Sequence, residues 1–329
     1  MTQQQRDMGR RSLLIGGAAA ALLAGTGASG AQGTDLSKAT LRVGTYKGGW
    51  RPLLVASGQA DTPYKIEWRE LNNGVLHIEA LNGDALDVGS GSEIPALFAA
   101  RQKAQVRFVA VVREDLNNQI TLARKDAPIQ SISDLKGKRV GYVRGTTAHY
   151  YLAKQLAEVG LGFADINAIN LTPSDGLLAF DRGDLDAWAI YGYSGQLARN
   201  KYGARVLKTG KGYLSGNFPI YANAKSVADA GKHAATTDFL LRLRKAYAWA
   251  NANYLAYARA QSEETRVPVG DLIEQWNNRS EDFDLRAVDD KVVVGHQDVA
   301  DLFLKLGVLD GPAQVAPLWD RSFDRALRS

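Results

Sequence analysis

Short apolar strands alternate with helices along this chain from Thr40, and one segment of the pattern occurs twice. Residues 81–88 and 180–187 each consist of a helix end, a Gly-Asp stop and a short strand that opens with Leu-Asp. Each segment follows a strand that contains Val-Gly, at about the same distance. Alternation of this kind is typical of parallel sheets covered by helices. The repeat therefore predicts two lobes of the same topology.

The last third of the chain is predicted to be helical, because no strand pattern of comparable quality follows Ala222. Its longest predicted helix spans residues 236–261 and carries apolar side chains along one face. Further helices are predicted at residues 271–277, 289–306 and 315–327. We interpret this block as a helical extension that packs on the first lobe.

The turn at residues 145–149 is the clearest candidate for a binding site. A strand at residues 139–143 leads through Gly145, Thr146 and Thr147 into a helix that begins near Ala148. N–H groups at a helix start have no partner within the helix, and the helix dipole favours negative charge there. Thr146 or Thr147 can cap this helix, and Gly145 lets a ligand approach the backbone. The pattern matches neither GxxxxGKS/T nor GxGxxG, and an ordinary capped helix is the alternative.

Polar and aromatic loops follow four of the predicted strands. In open α/β sheets, ligands bind beyond the carboxyl ends of the strands. Two of these loops, one in each predicted lobe, are Ser/Thr-Gly helix starts that would direct N–H and hydroxyl donors into one cleft. Such a cleft suits a small oxyanion head group such as a sulfonate. The four loops are residues 45–50, 89–95, 145–149 and 191–194.

Several side chains in these loops have two possible roles. Tyr46, Trp50, Tyr191 and Tyr193 either provide the surface for the body of a ligand or pack within the lobes. Lys47 either neutralises an anion or lies solvated on the rim of the cleft. The pattern leaves these alternatives open.

The composition excludes several kinds of chemistry. The chain has no cysteine, which removes disulfides, thiolate catalysis, Cys-ligated metals and a lipid-anchoring cysteine. Its four histidines are scattered without metal-ligand spacing. His149 has no evident nucleophile or acidic partner, so we predict hydrogen bonding to a ligand or packing for it, and not general-base catalysis. We expect no catalytic residue, no metal and no cofactor.

The first 31 residues have the pattern of a signal peptide. Arg10 and Arg11 precede an apolar run at residues 13–25, and small residues continue to Ala31, where we place the cleavage site. A membrane anchor is the alternative, although the run is short for a bilayer span. Removal of these residues takes away three arginines and one aspartate, so the formal net charge falls from +5 to +3. No basic run remains, and we expect no nucleic-acid partner.

Four stretches resemble the aliphatic sulfonate-binding proteins of ABC importers, which are close relatives of the taurine and nitrate binders. The likeness extends over nearly the whole mature chain and is best from about Val88 to Tyr193. Two loops depart from the family pattern. Tyr191-Gly192-Tyr193 stands where many sulfonate binders have Trp-Asp-Pro, and the loop at residues 90–95 lacks their Gly-Glu-Thr. The four similar stretches are residues 131–138, 145–150, 156–161 and 179–188.

The resemblance implies an α/β, type II periplasmic-binding-protein fold with two lobes. Each lobe would be a mostly parallel sheet flanked by helices, with the C-terminal helices on lobe 1. Lobe 1 would comprise residues 40–122 and 221–329, and lobe 2 residues 123–220. The two crossovers between them would fall near residues 119–125 and 218–225.

The resemblance, together with the strand ends, also implies a set of ligand-binding residues. They come from the loop after the first strand, the two anion-binding loops, the aromatic loop and the segment at residues 215–218. The departures noted above alter the specificity pocket, so the resemblance implies the class of alkanesulfonates and not a particular member of it. The predicted residues are Tyr46, Lys47, Ser90, Gly91, Ser92, Glu93, Gly145, Thr146, Thr147, His149, Tyr191 and Asn217.

The implied function is that of an exported, periplasmic solute-binding protein in sulfur metabolism. It would be a monomer without a lipid anchor, exported through the twin-arginine pathway. It would capture a small organic anion and deliver it to an inner-membrane ABC permease. Two alternatives stay open: an enzyme on the same fold, of the desulfinase or pyrimidine-precursor type, and a periplasmic sensor that reports to a receptor.

Overall fold

The computed structural model of the protein describes residues 35–100 and 105–329. The predicted signal peptide at residues 1–31 lies outside the described residues. In chain order the strands are β1 (Thr40–Thr45), β2 (Lys65–Glu70), β3 (Val88–Ser90), β4 (Val106–Arg113), β5 (Gln119–Ala123), β6 (Arg139–Tyr142), β7 (Asn167–Asn170), β8 (Ala187–Tyr191), β9 (Arg205–Thr209), β10 (Asn217–Asn223) and β11 (Asp284–Arg286).

These strands form two sheets whose members mostly point the same way. In the described part of the chain, the first sheet has the order β11-β4-β10-β3-β1-β2 and the second has the order β7-β6-β8-β5-β9. β10 runs antiparallel to β3 and β4, and β5 runs antiparallel to β8 and β9. Both strands directly follow a passage of the chain between the sheets, and the edge strand β11 also runs antiparallel to its neighbour β4. The α/β class with mostly parallel sheets is thereby confirmed.

The passages between the sheets lie earlier than predicted. The chain leaves the first sheet after Arg113 and enters the second at Gln119, and it returns between Thr209 and Asn217. The segments expected to cross, near residues 119–125 and 218–225, instead overlap β5 and β10, which lie within a sheet. Their apolar side chains explain the difference, because Ile120 and Leu122 are buried against the second sheet's own helices.

Helices cover both sheets and supply most of the last third of the chain. The predicted single helix at residues 236–261 is wrong in one respect, because the structure breaks it at Asn253. Asn253 leaves the helical conformation, with φ −128° and ψ 37°, and its side-chain amide donates to the Trp249 carbonyl oxygen at 2.9 Å. The helices are α1 (Trp50–Ala56), α2 (Gly74–Asn82), α3 (Pro95–Ala100), α4 (Thr147–Glu158), α5 (Pro173–Arg182), α6 (Tyr193–Tyr202), α7 (Ala224–Ala228), α8 (Ala230–Ala252), α9 (Tyr254–Thr265), α10 (Val269–Asn277), α11 (Asp290–Lys305) and α12 (Asp324–Arg328).

Two further expectations for the C-terminal third are wrong. A strand does follow Ala222, since β11 pairs antiparallel with β4, but its three residues are too few for a recognisable pattern. The predicted helix at residues 315–327 is interrupted, because Trp319 lies extended against Phe108 of β4. The N–H of Asp320 donates to the Phe108 carbonyl oxygen at 2.9 Å, so this segment pairs with the sheet.

The internal repeat of the sequence is matched by a repeated ion pair. Arg42 on β1 donates to Asp87 through its backbone N–H and its Nε, at 2.7 and 3.0 Å. Arg139 on β6 donates to Asp186 in the same way, at 2.9 and 3.1 Å. Each pair ties a strand to the residue that directly precedes a neighbouring parallel strand of the same sheet. The two Leu-Asp segments therefore occupy equivalent places in the two sheets.

Gly176 on α5 is required by the close approach of Trp188, and Gly176→Ala tests this packing. An added Cβ would lie 2.7–2.9 Å from atoms of the indole ring, which is fully buried and cannot withdraw. We expect a loss of about 1–3 kcal/mol in the free energy of unfolding. Gly270→Ala on α10, where a Cβ meets open space, should be neutral or stabilising by up to about 1 kcal/mol. Urea unfolding of both variants measures the difference. Equal changes in the free energy of unfolding would contradict the packing argument.

Over residues 35–100 and 105–329, no helix has the length and apolar character needed to cross a membrane.

Candidate functional site

A cavity of about 300 Å³ lies where the carboxyl ends of strands from both sheets meet. Tyr46 follows β1, Ser90 ends β3, and Tyr191 ends β8, and all three line the cavity. The first residues of α4 and α6 lie on the same wall. Helices α8, α9 and α10 close another side, with Tyr247 and Tyr257 among the lining side chains. The fold thus collects loops that are far apart in the sequence around one space.

Helices α4 and α6 begin at this cavity without a side-chain cap. Thr146, the N-cap of α4, donates its hydroxyl to the Val143 carbonyl oxygen at 2.7 Å and accepts no bond from the helix. Gly192, the N-cap of α6, has no side chain to offer and adopts a φ of 64°. Asn73 and Thr172, by contrast, cap α2 and α5, which also begin near the cavity. The first turns of α4 and α6 therefore present N–H groups that a ligand or water can satisfy.

Hydrogen bonds fix the polar side chains around the cavity. The Tyr46 hydroxyl donates to the Ser90 carbonyl oxygen at 3.0 Å, which joins the loops after β1 and β3. The Thr147 hydroxyl donates to Oε1 of Gln119 at 2.7 Å, which joins the start of α4 to β5. Burial raises the pKa of Tyr191 above its ordinary range, so its hydroxyl stays protonated at neutral pH. The wall is therefore rich in neutral, oriented dipoles.

Two-thirds of the predicted ligand-binding residues lie on the cavity wall. They include both predicted anion-binding loops and the two loops with aromatic side chains. The structure brings them together from four strand ends, as the rule for open α/β sheets requires. These residues are Tyr46, Lys47, Ser90, Gly91, Ser92, Thr146, Thr147 and Tyr191.

Glu93 and Asn217 are not on the wall, because each is engaged by a neighbouring side chain. Oε1 of Glu93 accepts a hydrogen bond from the Ser215 hydroxyl at 2.9 Å. Burial raises the pKa of this carboxyl to about 7, although Ser215 and Arg113 act in the opposite direction. Oδ1 of Asn217 accepts from Arg113 at 2.9 Å. Both residues thus brace the segment at which the chain returns to the first sheet.

Gly145 and His149 are also off the wall, and they bond to each other. The Gly145 N–H donates to Nδ1 of His149 at 3.3 Å, so the imidazole supports the turn from behind. Burial lowers the pKa of His149 to about 4, with a smaller contribution from Arg144, and the ring is neutral as this bond requires. The ring packs beside Tyr142 and Phe163 at centroid distances of 5.1 and 5.0 Å.

The sequence prediction missed part of the wall. Glu114 and Gln119 flank the first passage between the sheets, and the mostly apolar run at residues 106–112, shortly before Glu114, could have directed attention to it. Tyr247, Tyr257 and Gln275 come from the C-terminal helices. Their sequence context is that of ordinary amphipathic helices, so only the tertiary fold identifies them.

The cavity wall carries little formal charge. Among the lining residues that the structure describes, only Lys47 has an amino group and only Glu114 a carboxyl group in its side chain. Lys47 is exposed to solvent. Burial raises the pKa of Glu114 to about 8, and the adjacent charge of Asp115 adds to the effect. No group of three or more His, Asp or Glu side chains within the described ranges could hold a metal ion.

The sequence matches the protein-family model described as NMT1/THI5 like over residues 65–253. The chain belongs to this family. Within it, the chain is 37% identical over 182 residues to a putative aliphatic sulfonates-binding protein of Escherichia coli, a match that covers 54% of this chain and 56% of that protein. The chain spans only about half of that relative's length in this match. A second such protein, from Bacillus subtilis, is 25% identical over 95% of this chain and 96% of its own length.

Solved structures give the same grouping. The alkanesulfonate-binding protein SsuA from Xanthomonas axonopodis pv. citri, solved bound to MOPS, is 27% identical with a TM-score of 0.79. That similarity covers 87% of this chain and 99% of that one. The desulfurization enzyme DszB, 15% identical with a TM-score of 0.63 over 88% of this chain and 99% of its own, shares the fold alone. The predicted relationship to sulfonate-binding proteins is thereby confirmed.

Proposed function

We propose that this protein is a solute-binding protein that captures an aliphatic sulfonate in the cavity and delivers it to an ABC permease. The observation that carries the proposal is that α4 begins on the cavity wall without a side-chain cap. The Ser90–Ser92 loop lies on the same wall. The sulfonate-binding relatives support the same ligand class.

A sulfonate head group suits the polar part of this wall. Its three oxygens share one negative charge and accept hydrogen bonds in several directions. The first turns of α4 and α6 offer N–H donors, and the helix dipoles favour an anion there. Ser92 places a hydroxyl group on the same wall. Hydrogen bonds to a charged group are about twice as strong as neutral ones, so the arrangement holds an oxyanion without a formal positive charge beside it.

The rings on the wall suit the apolar body of such a ligand. Trp50, Tyr193, Phe218 and Phe283 line the cavity together with Tyr257. Ligand sites in proteins are commonly apolar clefts with a few placed polar groups. A short alkyl chain that enters this space is removed from water, which contributes about 0.8 kcal/mol for each buried CH₂ group.

We propose further that the two sheets with their helices act as two lobes that close on the ligand. The sequence predicts lobes of residues 40–122 with 221–329 and of residues 123–220; we propose boundaries at the two passages between the sheets, residues 114–118 and 210–216. Hinges of this kind are a few loop residues that absorb backbone rotation. In this account the closed form docks on the permease, and the protein catalyses no reaction on its ligand.

The setting of the protein is part of the proposal. We propose export through the twin-arginine pathway, cleavage near Ala31 and a monomeric, periplasmic protein that needs no cofactor. One relative is named a periplasmic taurine-binding protein, which supports this location.

Titration of intrinsic fluorescence tests the ligand class, because Trp50 is on the wall and its Nε1 donates to the Tyr247 hydroxyl at 2.8 Å. We expect a saturable change with linear alkanesulfonates of two to four carbons. The matching alkylammonium chlorides, which lack the oxyanion, should give none. Calorimetry under the same conditions checks any ligand without an optical signal. Absence of binding across the sulfonates, or turnover of a bound one, would contradict the proposal.

A further inference from the structure

The two loops proposed to hold the anion are each supported by a buried histidine ring. The Ser90 N–H donates to Nδ1 of His77 at 3.1 Å, and the Gly145 N–H donates to Nδ1 of His149 at 3.3 Å. We infer that His77 and His149 are positioning residues for the sulfonate, and that they act through the backbone of these loops from behind the cavity wall. The inference rests on the proposed function and deepens it, since it assigns what orients the donors of that site.

The internal repeat does not account for the likeness of the two contacts. His77 lies on α2, which precedes β3, whereas His149 lies on α4, which follows β6. The bonded N–H groups also differ in place, because Ser90 ends β3 while Gly145 lies between β6 and α4. The same contact therefore arises at two positions that the repeat does not relate. What the two positions share is a loop on the cavity wall.

Each bonded N–H belongs to the part of the loop that shapes the wall. Ser90–Ser92 line the cavity, and Gly145 directly precedes Thr146, which lines it from the other sheet. An N–H that donates to a ring behind the loop fixes the orientation of its peptide plane. The donors that follow in the loop are then in place before the ligand arrives, so less conformational entropy is lost on binding.

The His77 ring is held firmly enough to act as a support. It is fully buried and stacks on the Tyr46 ring, with 4.8 Å between centroids and 17° between planes. The Tyr46 hydroxyl donates to the Ser90 carbonyl oxygen at 3.0 Å, so the two stacked rings fix both backbone groups of Ser90. Strands β1 and β3 approach the imidazole at Gly44 and Gly89, where an added Cβ would lie 3.1 and 2.8 Å from it. The ring therefore has no room to turn away from the loop.

The His149 ring is held by three aromatic side chains. The ring centroids of Tyr142, Phe163 and Phe303 lie 5.1, 5.0 and 5.4 Å from that of the imidazole. Gly145 has a φ of 71°, a left-handed conformation that glycine adopts at little cost. In this conformation its N–H meets Nδ1 of His149. The ring and the turn thus determine each other's place.

Both rings have the charge that this role requires. Nδ1 accepts a hydrogen bond only in a neutral imidazole whose proton is on Nε2. Burial lowers the pKa of His77 to about 4, although the Leu71 backbone acts in the opposite direction. Burial also lowers the pKa of His149 to about 4, and the charge of Arg144 adds to the effect. Both acceptors are therefore available at neutral pH.

Replacement by leucine and by asparagine tests this role at each histidine. The two side chains have the same branched shape, but only asparagine has an oxygen acceptor at the δ position, where imidazole has Nδ1. Without that acceptor the loop must be ordered by the ligand. We therefore expect His77→Leu and His149→Leu each to bind butane-1-sulfonate at least about tenfold more weakly than the corresponding asparagine variant, which should stay within a few-fold of wild type. Isothermal titration measures the affinities, and thermal unfolding confirms that each variant is folded.

His233→Leu is the control for the loss of an imidazole elsewhere. His233 lies on α8, away from the cavity wall, and its Nε2 bonds the Ser322 hydroxyl at 3.1 Å. Its replacement should leave the affinity unchanged. Equal affinities of the leucine and asparagine variants at both His77 and His149 would overturn the positioning role.

Nitrogen-15 NMR of the wild-type protein at pH 6 tests the same contacts without any variant that could fail to fold. We expect the rings of His77 and His149 to be neutral, with the proton on Nε2 in each. A proton on Nδ1 in either ring would overturn the inference for that loop and would leave sulfonate binding standing. Failure of the wild-type protein to bind alkanesulfonates of two to four carbons would instead overturn the proposed function, and this inference with it.

Discussion

Thr146→Asp is expected to lower the affinity for an aliphatic sulfonate at least 100-fold while leaving the protein folded. Aspartate is among the best N-cap residues, so it should support α4, which Thr146 does not cap by its side chain. Its carboxylate, however, would take up the N–H groups that we assign to the ligand and repel the incoming anion. Like charges brought together in a site cost several kcal/mol, and about 2.7 kcal/mol already corresponds to a factor of about 100.

Thr146→Asn is the matched control, because asparagine has the shape of aspartate and caps equally well but carries no charge. Its side-chain oxygen takes up the same N–H groups without repelling the anion, so we expect this variant to bind the sulfonate at least about tenfold more tightly than Thr146→Asp does. Isothermal titration of both variants, with thermal unfolding to confirm that each is folded, measures the difference. Equal losses in the two would show that shape and not charge matters at this turn, which would contradict an anion at the start of α4.

Asp87→Ala should cause the largest loss of stability, about 3–5 kcal/mol in the free energy of unfolding. The Asp87 side chain is fully buried and accepts hydrogen bonds from Arg42, Ser226 and Lys232. Burial opposes its ionisation, but these donors outweigh burial and hold its pKa below the usual range. Removal of the carboxylate leaves the Arg42 and Lys232 cations and the buried Ser226 hydroxyl without this acceptor, although Arg42 keeps its ion pair with Asp84.

Asp186→Ala is the control that the internal repeat provides. Asp186 makes the same bonds to Arg139 that Asp87 makes to Arg42, but its side chain is 25% exposed and that of Arg139 is 45% exposed. Partly solvated ion pairs contribute little to stability, so we expect a loss of about 1 kcal/mol or less in the free energy of unfolding. Urea unfolding of the two variants makes the comparison. Similar losses would contradict the view that burial sets the value of the pair.

The main features of this fold could be predicted because they are local. Strand–helix alternation and the repeated Leu-Asp segment predict two related sheets, and the ion pairs of Asp87 and Asp186 bear out their equivalence. The errors arose where tertiary contacts override local pattern. Asn253 breaks a helix that the apolar periodicity continues, and Trp319 leaves a helical pattern to pair with β4.

The part of the candidate site that lies at strand ends was also predictable, because it follows from local pattern. The part made by long-range packing was not. Ser90 and Thr146 follow strands whose carboxyl ends must meet at a sheet edge, so their loops could be assigned to one cleft. His149 carries an equally suggestive local pattern, but its ring turns behind the loop to accept from Gly145. Glu114 and Gln275 become neighbours of one cavity only through the long-range packing of β4 and α10, which no short motif encodes.

A crystal structure with a bound alkanesulfonate, recorded with anomalous scattering from sulfur, tests the central claim most directly. The chain has no cysteine, and both methionines, Met1 and Met8, precede the predicted cleavage site. Protein that begins after Ala31 therefore contains no sulfur beyond an added initiator methionine. We predict one strong sulfur peak in the cavity, within reach of the first turn of α4 and of Ser92. A sulfonate bound to the protein with its sulfur peak outside this cavity would contradict the account.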